Sequence, residues 1–307
     1  MAEHYCECIE SKAFTGKFVR IRGRVSREGQ VQWSPGLRTE KGQIQDRRQA
    51  VVVRPHPYAV DFLDYRGAVL ESAPADVLFF AKERQTAGFG ARLPYNDNTQ
   101  TVRLRRGDRE LSRLSVPTDR PCFTLLDPGE DACIDASGVL HLRWCPHDSE
   151  YPQTFFVRYT HNGNEWIRPG VNLQGHDYYL DLREMPGGKR CAVQVLATNG
   201  YRTSYVQTRY FEVPVKPPDL LVGEAYGPVL YAQGFSRQEG PIAGDGVVWL
   251  IDDGSASLRG GSLDVRTLAP GVHRVSVSVS DQTGRQTTNL VGSYDSTTGL
   301  RVSPLPL

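Results

Sequence analysis

Four aspartates crowd one short stretch of this 307-residue chain. Asp252 and Asp253 stand beside Gly254 in VVWLIDDGSASLRGG, with Asp245 just upstream and Asp264 just downstream. Carboxylates this close together serve acid/base chemistry, cation binding or tight turns. Two adjacent carboxylates on one strand point to opposite faces, so Asp252 and Asp253 cannot both enter one pocket from a strand. Calcium takes about six to eight oxygens. Asp245, Asp253 and Asp264 therefore make a calcium site only if their loops converge. A turn asks for less: an aspartate bonding nearby backbone, and Gly254 supplying a permissive φ. The turn is the expectation here, with calcium the only cofactor to consider.

Other groups that could do chemistry are scattered. HExxH, HxxEH and GxSxG are absent, and no phosphate-binding glycine loop opens a helix. This removes the common zinc peptidase, serine hydrolase and nucleotide-binding readings, so a non-enzyme is expected. His141, His147 and His161 read as solvated side chains, and a surface metal site would need their loops to meet. His273 reads as a structural corner residue. His4, Cys6 and Cys8 supply three ligand types on a tail whose plainer reading is incidental thiols.

Candidate binding residues are basic or aromatic. Arg20, Arg22 and Arg24 share one predicted strand, and Arg103, Arg105 and Arg106 share another. If those strands neighbour each other, Arg22, Arg103 and Arg105 form a basic face for an acidic polymer or partner. No aromatic residues interleave the arginines, as single-strand nucleic-acid binding prefers. Arg106-Gly107-Asp108 spells an integrin-binding tripeptide at a predicted hairpin tip, where Gly-Asp is also what a tight turn needs. Tyr178 and Tyr179 face opposite ways, so one of them is exposed. Tyr178 and Trp166 are the candidate anchors for a protein or sugar partner.

The positioning elements are strands. Thirty glycines and twenty prolines make turns frequent, and period-two alternation recurs at FVRIRGRV, TVRLRRGDREL and HRVSVSVSD. Lys plus Arg is 36 against 35 for Asp plus Glu, which gives no global drive toward nucleic acid or anionic membrane. The start carries no apolar leader, and no run approaches the roughly 20 apolar residues of a membrane span. As written the chain reads as cytoplasmic, or as a piece of a larger exported protein.

Two linkers, LLDPGEDAC and VPVKPPDLL, divide the chain into a tail at 1–13 and domains at 14–126, 127–215 and 216–307. The middle one carries LHLRWCP, the hairpin TFFVRYTHNGNEW, and a Pro-Gly-Gly corner before a strand ending in Ala-Thr-Asn-Gly. It resembles a fibronectin type III domain, with Met185 where Leu is usual and Cys191 where a corner Tyr is usual. Trp144 faces inward, so Cys145 faces out, away from Cys191, and an antibody-type disulfide is not expected. The last piece resembles a bacterial immunoglobulin-like or PKD-like domain through VVWLIDDGS and LAPGVHRVSVSVSDQTG. The first reads as a degenerate immunoglobulin-like sandwich. The expectation is an all-β chain of three tandem immunoglobulin-like β-sandwich domains. The series resembles accessory regions of large bacterial surface or secreted proteins. It implies protein–protein contacts in a larger assembly or at a bacterial envelope, or carbohydrate binding beside a secreted hydrolase.

Overall fold

A computed structural model describes residues 9–40, 57–78, 85–128, 138–148, 151–224 and 228–302. His4, Cys6, Cys8 and Cys133 lie outside the described residues. Among the described residues the strands form six sheets, and the only helices are three-residue 3-10 turns. The sheets pair into three sandwiches. By compactness the chain falls into two units, residues 1–181 with 192–211, and residues 182–191 with 212–307. The first sandwich and most of the second lie in the first unit, and the third lies in the second.

In the first sandwich, one sheet runs Val31–Thr39, Phe18–Ser26, Thr86–Pro94, Asp76–Leu78. The other runs Arg109–Ser115, Thr101–Arg106, Tyr58–Leu63, Val69–Pro74. Alternation sets the faces: Val19, Ile21, Phe89 and Leu93 from one sheet meet Val60, Phe62, Val102 and Leu104 from the other. Gly23 takes an inward position because a Cβ there would lie 2.5 Å from the Phe89 ring. The outer edge of the first sheet is the second strand in sequence, hairpinned onto the first. An immunoglobulin domain instead puts its first strand at that edge.

The second sandwich pairs Phe123–Asp127, Val139–Pro146 and Asp177–Asp181 in one sheet. The facing sheet runs Ile167–Leu173, Thr154–Thr160, Gly188–Thr198, Thr203–Gln207. This three-plus-four order is that of a fibronectin type III domain, and Trp144 is buried between the sheets against Phe155, as its strand parity requires. Residues 9–13, expected as tail, extend both sheets. Ile9–Glu10 pairs with Phe123–Asp127, and Lys12–Ala13 pairs with Thr203–Gln207. Cys145 is exposed and Cys191 is buried, its Sγ against the Gly188 carbonyl.

The first two sandwiches interlock. The Asn199-Gly200 turn, with Gly200 at φ 101°, delivers Tyr201 into the core of the first sandwich. There its ring lies 5.2 Å from Phe62 and 5.3 Å from Tyr95. Its hydroxyl bonds Thr99 Oγ1 and the Asn96 carbonyl, each at 2.9 Å. Arg202 donates to the Pro117 carbonyl and the Tyr95 hydroxyl. Phe14 packs with Leu37, Phe156 and Leu196 in a second small core. Gly36 lies so close to the 200 turn that a Cβ would be 2.2 Å from the Gly200 carbonyl oxygen.

In the third sandwich, Val229–Ser236 pairs with Asp219–Glu224 and with Ser262–Asp264. The facing sheet runs Ala256–Arg259, Val247–Ile251, Val272–Ser280, Gln286–Asp295, Leu300–Arg301. Trp249 is fully buried with Val275, Val277 and Val279, and its indole N–H donates to the Gly260 carbonyl at 2.8 Å.

Candidate binding surfaces

The aspartate cluster is a latch. Val247–Ile251 ends in a turn in which Asp252, Asp253 and Gly254 all have positive φ, at 51°, 56° and 92°. Two successive non-glycine residues in that region cost free energy, and the carboxylate of Asp252 offsets it. One oxygen accepts the Arg274 amide at 2.9 Å, and the other meets His273 Nδ1 at 2.7 Å. His273 Nε2 meets the Ala269 carbonyl at 2.7 Å. Both imidazole nitrogens face pure acceptors, so the full set is made only by the imidazolium. The hydrogen bond to Asp252, then the Ala269 carbonyl, raises the pKa of His273; the same histidine, then the Arg274 amide, holds Asp252 below the ordinary carboxylate range.

The other aspartates have separate tasks. Asp264 accepts the Arg266 amide at 3.0 Å, starting a 3-10 turn, and pairs with the Arg266 side chain at 2.7 Å. Asp253 lies 3.3 Å from Arg274. Asp245 sits in the Gly244–Gly246 turn. Among the described residues no group of three or more His, Cys, Asp or Glu side chains is gathered as a metal would need. The three loops thus do not bring Asp245, Asp253 and Asp264 together. The histidines are also apart in their bonding: His147 meets Thr124 Oγ1 at 2.8 Å, while His141 stacks on Tyr179 and lies 3.6 Å from Asp127.

The expected basic face is not formed as proposed from the sequence. Arg22 lies on one sheet of the first sandwich, and Arg103 and Arg105 on the other. All three alternate with core residues, so they point away from the shared core on opposite sides. Arg103 and Arg105 converge on Asp61, whose side chain is 1% exposed. Its carboxylate accepts both arginines and Ser72 Oγ, at 2.7–3.0 Å. Burial alone would raise the Asp61 pKa; the Ser72 and arginine hydrogen bonds outweigh it and bring the pKa below the usual value. These two arginines compensate a buried charge. Beside them, Arg106-Gly107-Asp108 occupies the hairpin tip, with Gly107 at φ 58° and the Arg106 guanidinium 5.6 Å from the Tyr58 ring centre.

Trp166 and Tyr178 also hold structure. The Arg158 guanidinium lies between the rings of Phe14 and Trp166, at 5.1 and 5.0 Å, and bonds Gln194. Burial pushes its pKa down to about 10, so it stays charged at neutral pH. Tyr178 donates its hydroxyl to the Pro169 carbonyl at 2.9 Å. Tyr179 is the exposed member of that pair, at 64%.

What strand alternation alone did not show is the neighbourhood of Arg22. Arg20 stands directly opposite Arg92 across the ladder, and Arg22 opposite Gly90. Arg168 of the second sandwich adds to this charge: burial, then the charges of Arg20, Arg22 and Arg92, lower its pKa. The signal in the sequence was the phase of Gly88, Gly90 and Arg92, all on the face opposite Phe89 and Ala91.

No family model matches the chain, and no curated protein matches it. Solved structures do. The chicken CNTN1 FN1–FN3 domains match at 14% identity over 92% of this chain and 98% of that one, with a TM-score of 0.21. A tetra-tandem repeat in the extending region of a large adhesion protein matches at 11% over 93% and 94%, with a TM-score of 0.24. A Ca2+-stabilized adhesin that helps an Antarctic bacterium reach out and bind ice matches at 11% over 92% and 74%, with a TM-score of 0.21. At such TM-scores these likenesses carry no argument about function. The chain is all-β, built of tandem sandwiches of the immunoglobulin-like and fibronectin type III-like kind; the second has the fibronectin type III strand order, and the first is a two-sheet sandwich with its own edge order.

Proposed function

We propose that the chain is a non-catalytic binding module, making protein–protein contacts within a larger assembly or at a bacterial envelope. One observation carries this reading. Tyr201 of the second sandwich is a core residue of the first, so the two present their surfaces as one body rather than as beads on a flexible linker. Such a body holds contact residues at fixed spacing, which lowers the ordering cost of binding. The carboxylate that first raised acid/base chemistry points the same way: Asp252 is committed, with His273, to a turn.

Chemical cross-linking of the full chain in its native host, read by mass spectrometry, tests this. The expected result is a reproducible protein neighbour linked through the first two sandwiches, and no turnover of peptide, ester or glycoside substrates. Turnover abolished by Asp252→Ala in a folded protein would overturn it. A second reading, attachment to a polymer beside a secreted hydrolase, is favoured by the arginine row around Arg22.

A further inference from the structure

The outer face of the Phe18–Ser26 sheet carries a trough. Arg20, Arg22 and Arg24 alternate with core residues along one strand and so recur at roughly 6.7 Å. On the neighbouring strand, Gly90 stands opposite Arg22 and Gly88 opposite Arg24. A Cβ built at either glycine would meet only a backbone oxygen, at 3.9 and 4.0 Å. The floor is therefore open backbone. Arg22 and Arg24 form one wall, and Asp76, opposite Gly90 on the edge strand, stands on the other. At the Arg24 end the trough meets a cavity of ≈ 260 Å³ lined by Arg24, Gln30, Gln32 and Thr86.

This arrangement is costly for folding alone. Like charges set close together on one face of a sheet are destabilising, and Arg20 and Arg22 share this face. Among the described residues, no ion pair joins Arg20, Arg22 or Arg24 to a carboxylate. That contrasts with Arg103 and Arg105 on the opposite sheet, which share a buried aspartate. A row of cations at a regular repeat over an unobstructed floor fits an extended ligand with regularly spaced anions.

We propose that the trough binds an acidic polysaccharide, a sugar chain bearing carboxylate or sulfate groups along its length. The arginines take the anions; Gln32 and Thr86 offer donors and acceptors to sugar hydroxyls. Single-stranded nucleic acid fits less well, because around Arg22 and Arg24 the outward positions are Arg, Gly, Gln, Ser and Thr, and the one aromatic in phase with them, Phe18, lies beyond Arg20 at the far end of the strand. The nearest tryptophan, Trp33, is turned against Phe89, and its N–H is donated to Ser112. A peptide strand docks through main-chain bonds at a sheet edge, whereas under the trough both strands already spend theirs on the ladder.

The test is isothermal titration of the full chain with a heparin fragment and with an oligogalacturonate, the sulfated and carboxylated versions of one chemistry. Binding of either that weakens with salt is expected. Arg22→Ala and Arg24→Ala should each weaken it about tenfold, the loss of one charge-assisted contact. Gly88→Glu, which adds a carboxylate to the floor and removes no arginine, should abolish it, and Arg259→Ala on the third sandwich should leave it unchanged. Circular dichroism melts confirm that each variant is folded, and the arginine variants decide if Gly88→Glu is not. No binding of either sugar would overturn the proposal. So would unchanged affinity in both arginine variants, or tighter binding of oligo-dT or polyglutamate. The protein cross-links predicted above do not depend on the trough, so failure here leaves that reading intact.

Discussion

Tyr201→Phe removes one oxygen from the joint between the first two sandwiches. That hydroxyl meets Thr99 Oγ1 and the Asn96 carbonyl at 2.9 Å, inside a core where Tyr201 is 1% and Thr99 0% exposed. Water cannot replace it without opening the core, so the Thr99 hydroxyl is left with one partner fewer. A buried polar group stranded this way costs about 1–3 kcal/mol. Truncation to Tyr201→Ala also discards the ring and its contacts with Phe62 and Tyr95, for roughly 3–5 kcal/mol. The informative experiment is a double-mutant cycle. Thr99→Val is combined with Tyr201→Phe, and urea unfolding is followed by residue-resolved NMR. The residues are 102 apart in sequence and on different sandwiches, yet they should couple by about 0.5–1.5 kcal/mol. Amides of Val60 and Val102 should lose protection in the Tyr201 variants. Zero coupling, with the loss confined to the second sandwich, would refute the reasoning.

Further outcomes follow from other contacts. Asp61→Ala should destabilise the first sandwich by about 1–3 kcal/mol in urea unfolding, below the usual cost of breaking a buried pair because Arg103 and Arg105 are partly exposed and can rehydrate. The folded pKa of Asp61 is depressed, so its contribution is present above the ordinary aspartate value and is lost as pH falls through the lowered one; in Asp61→Ala that acid-side loss should shrink. For the 252–273 latch, the His273 contribution is full below about pH 6.5 and is lost as pH rises through its raised value. The Asp252 contribution is lost as pH falls through its depressed value. The latch should therefore be tightest between the two, and NMR titration of His273 should show a smaller upward shift in Asp252→Asn, with the share of the Ala269 carbonyl remaining. Gly36→Ala, which drives a Cβ onto the Gly200 carbonyl, should cost about 1–3 kcal/mol in thermal unfolding, while Gly88→Ala, over open space, should cost little.

Period-two alternation was enough to place most of the core. Trp144, Trp249 and the Val275–Val277–Val279 row are buried as their parity requires, and Cys145 and Cys191 are exposed and buried as expected. The WLIDDGS turn was also legible, because two left-handed residues before a glycine need a backbone-bonding side chain, and Asp252 is one. Parity says which side of its own sheet a residue faces, but not which sheet lies next to it. Arg22, Arg103 and Arg105 therefore looked alike, although the first lies over a glycine floor and the others over a buried aspartate. Nor does parity reveal packing between sandwiches. Tyr201 has the pattern of an ordinary strand aromatic, yet it fills a neighbour's core. The segment at 9–13 was too short for periodicity to reveal its two strand pairings. Tyr178 and Trp166 were chosen as surface aromatics; their partners, the Pro169 carbonyl and Arg158, come from strands that only the folded chain brings close.

The first two sandwiches, joined through Tyr201, should behave as one body. Native-state hydrogen exchange of the full chain, followed through a series of low denaturant concentrations, measures this directly. Amides in the core strands of the first sandwich, at Val60 and Phe62, and of the second, at Val157 and Val195, should merge into one opening isotherm with one free energy. Two separate isotherms, with the first sandwich opening while the second stays closed, would contradict it.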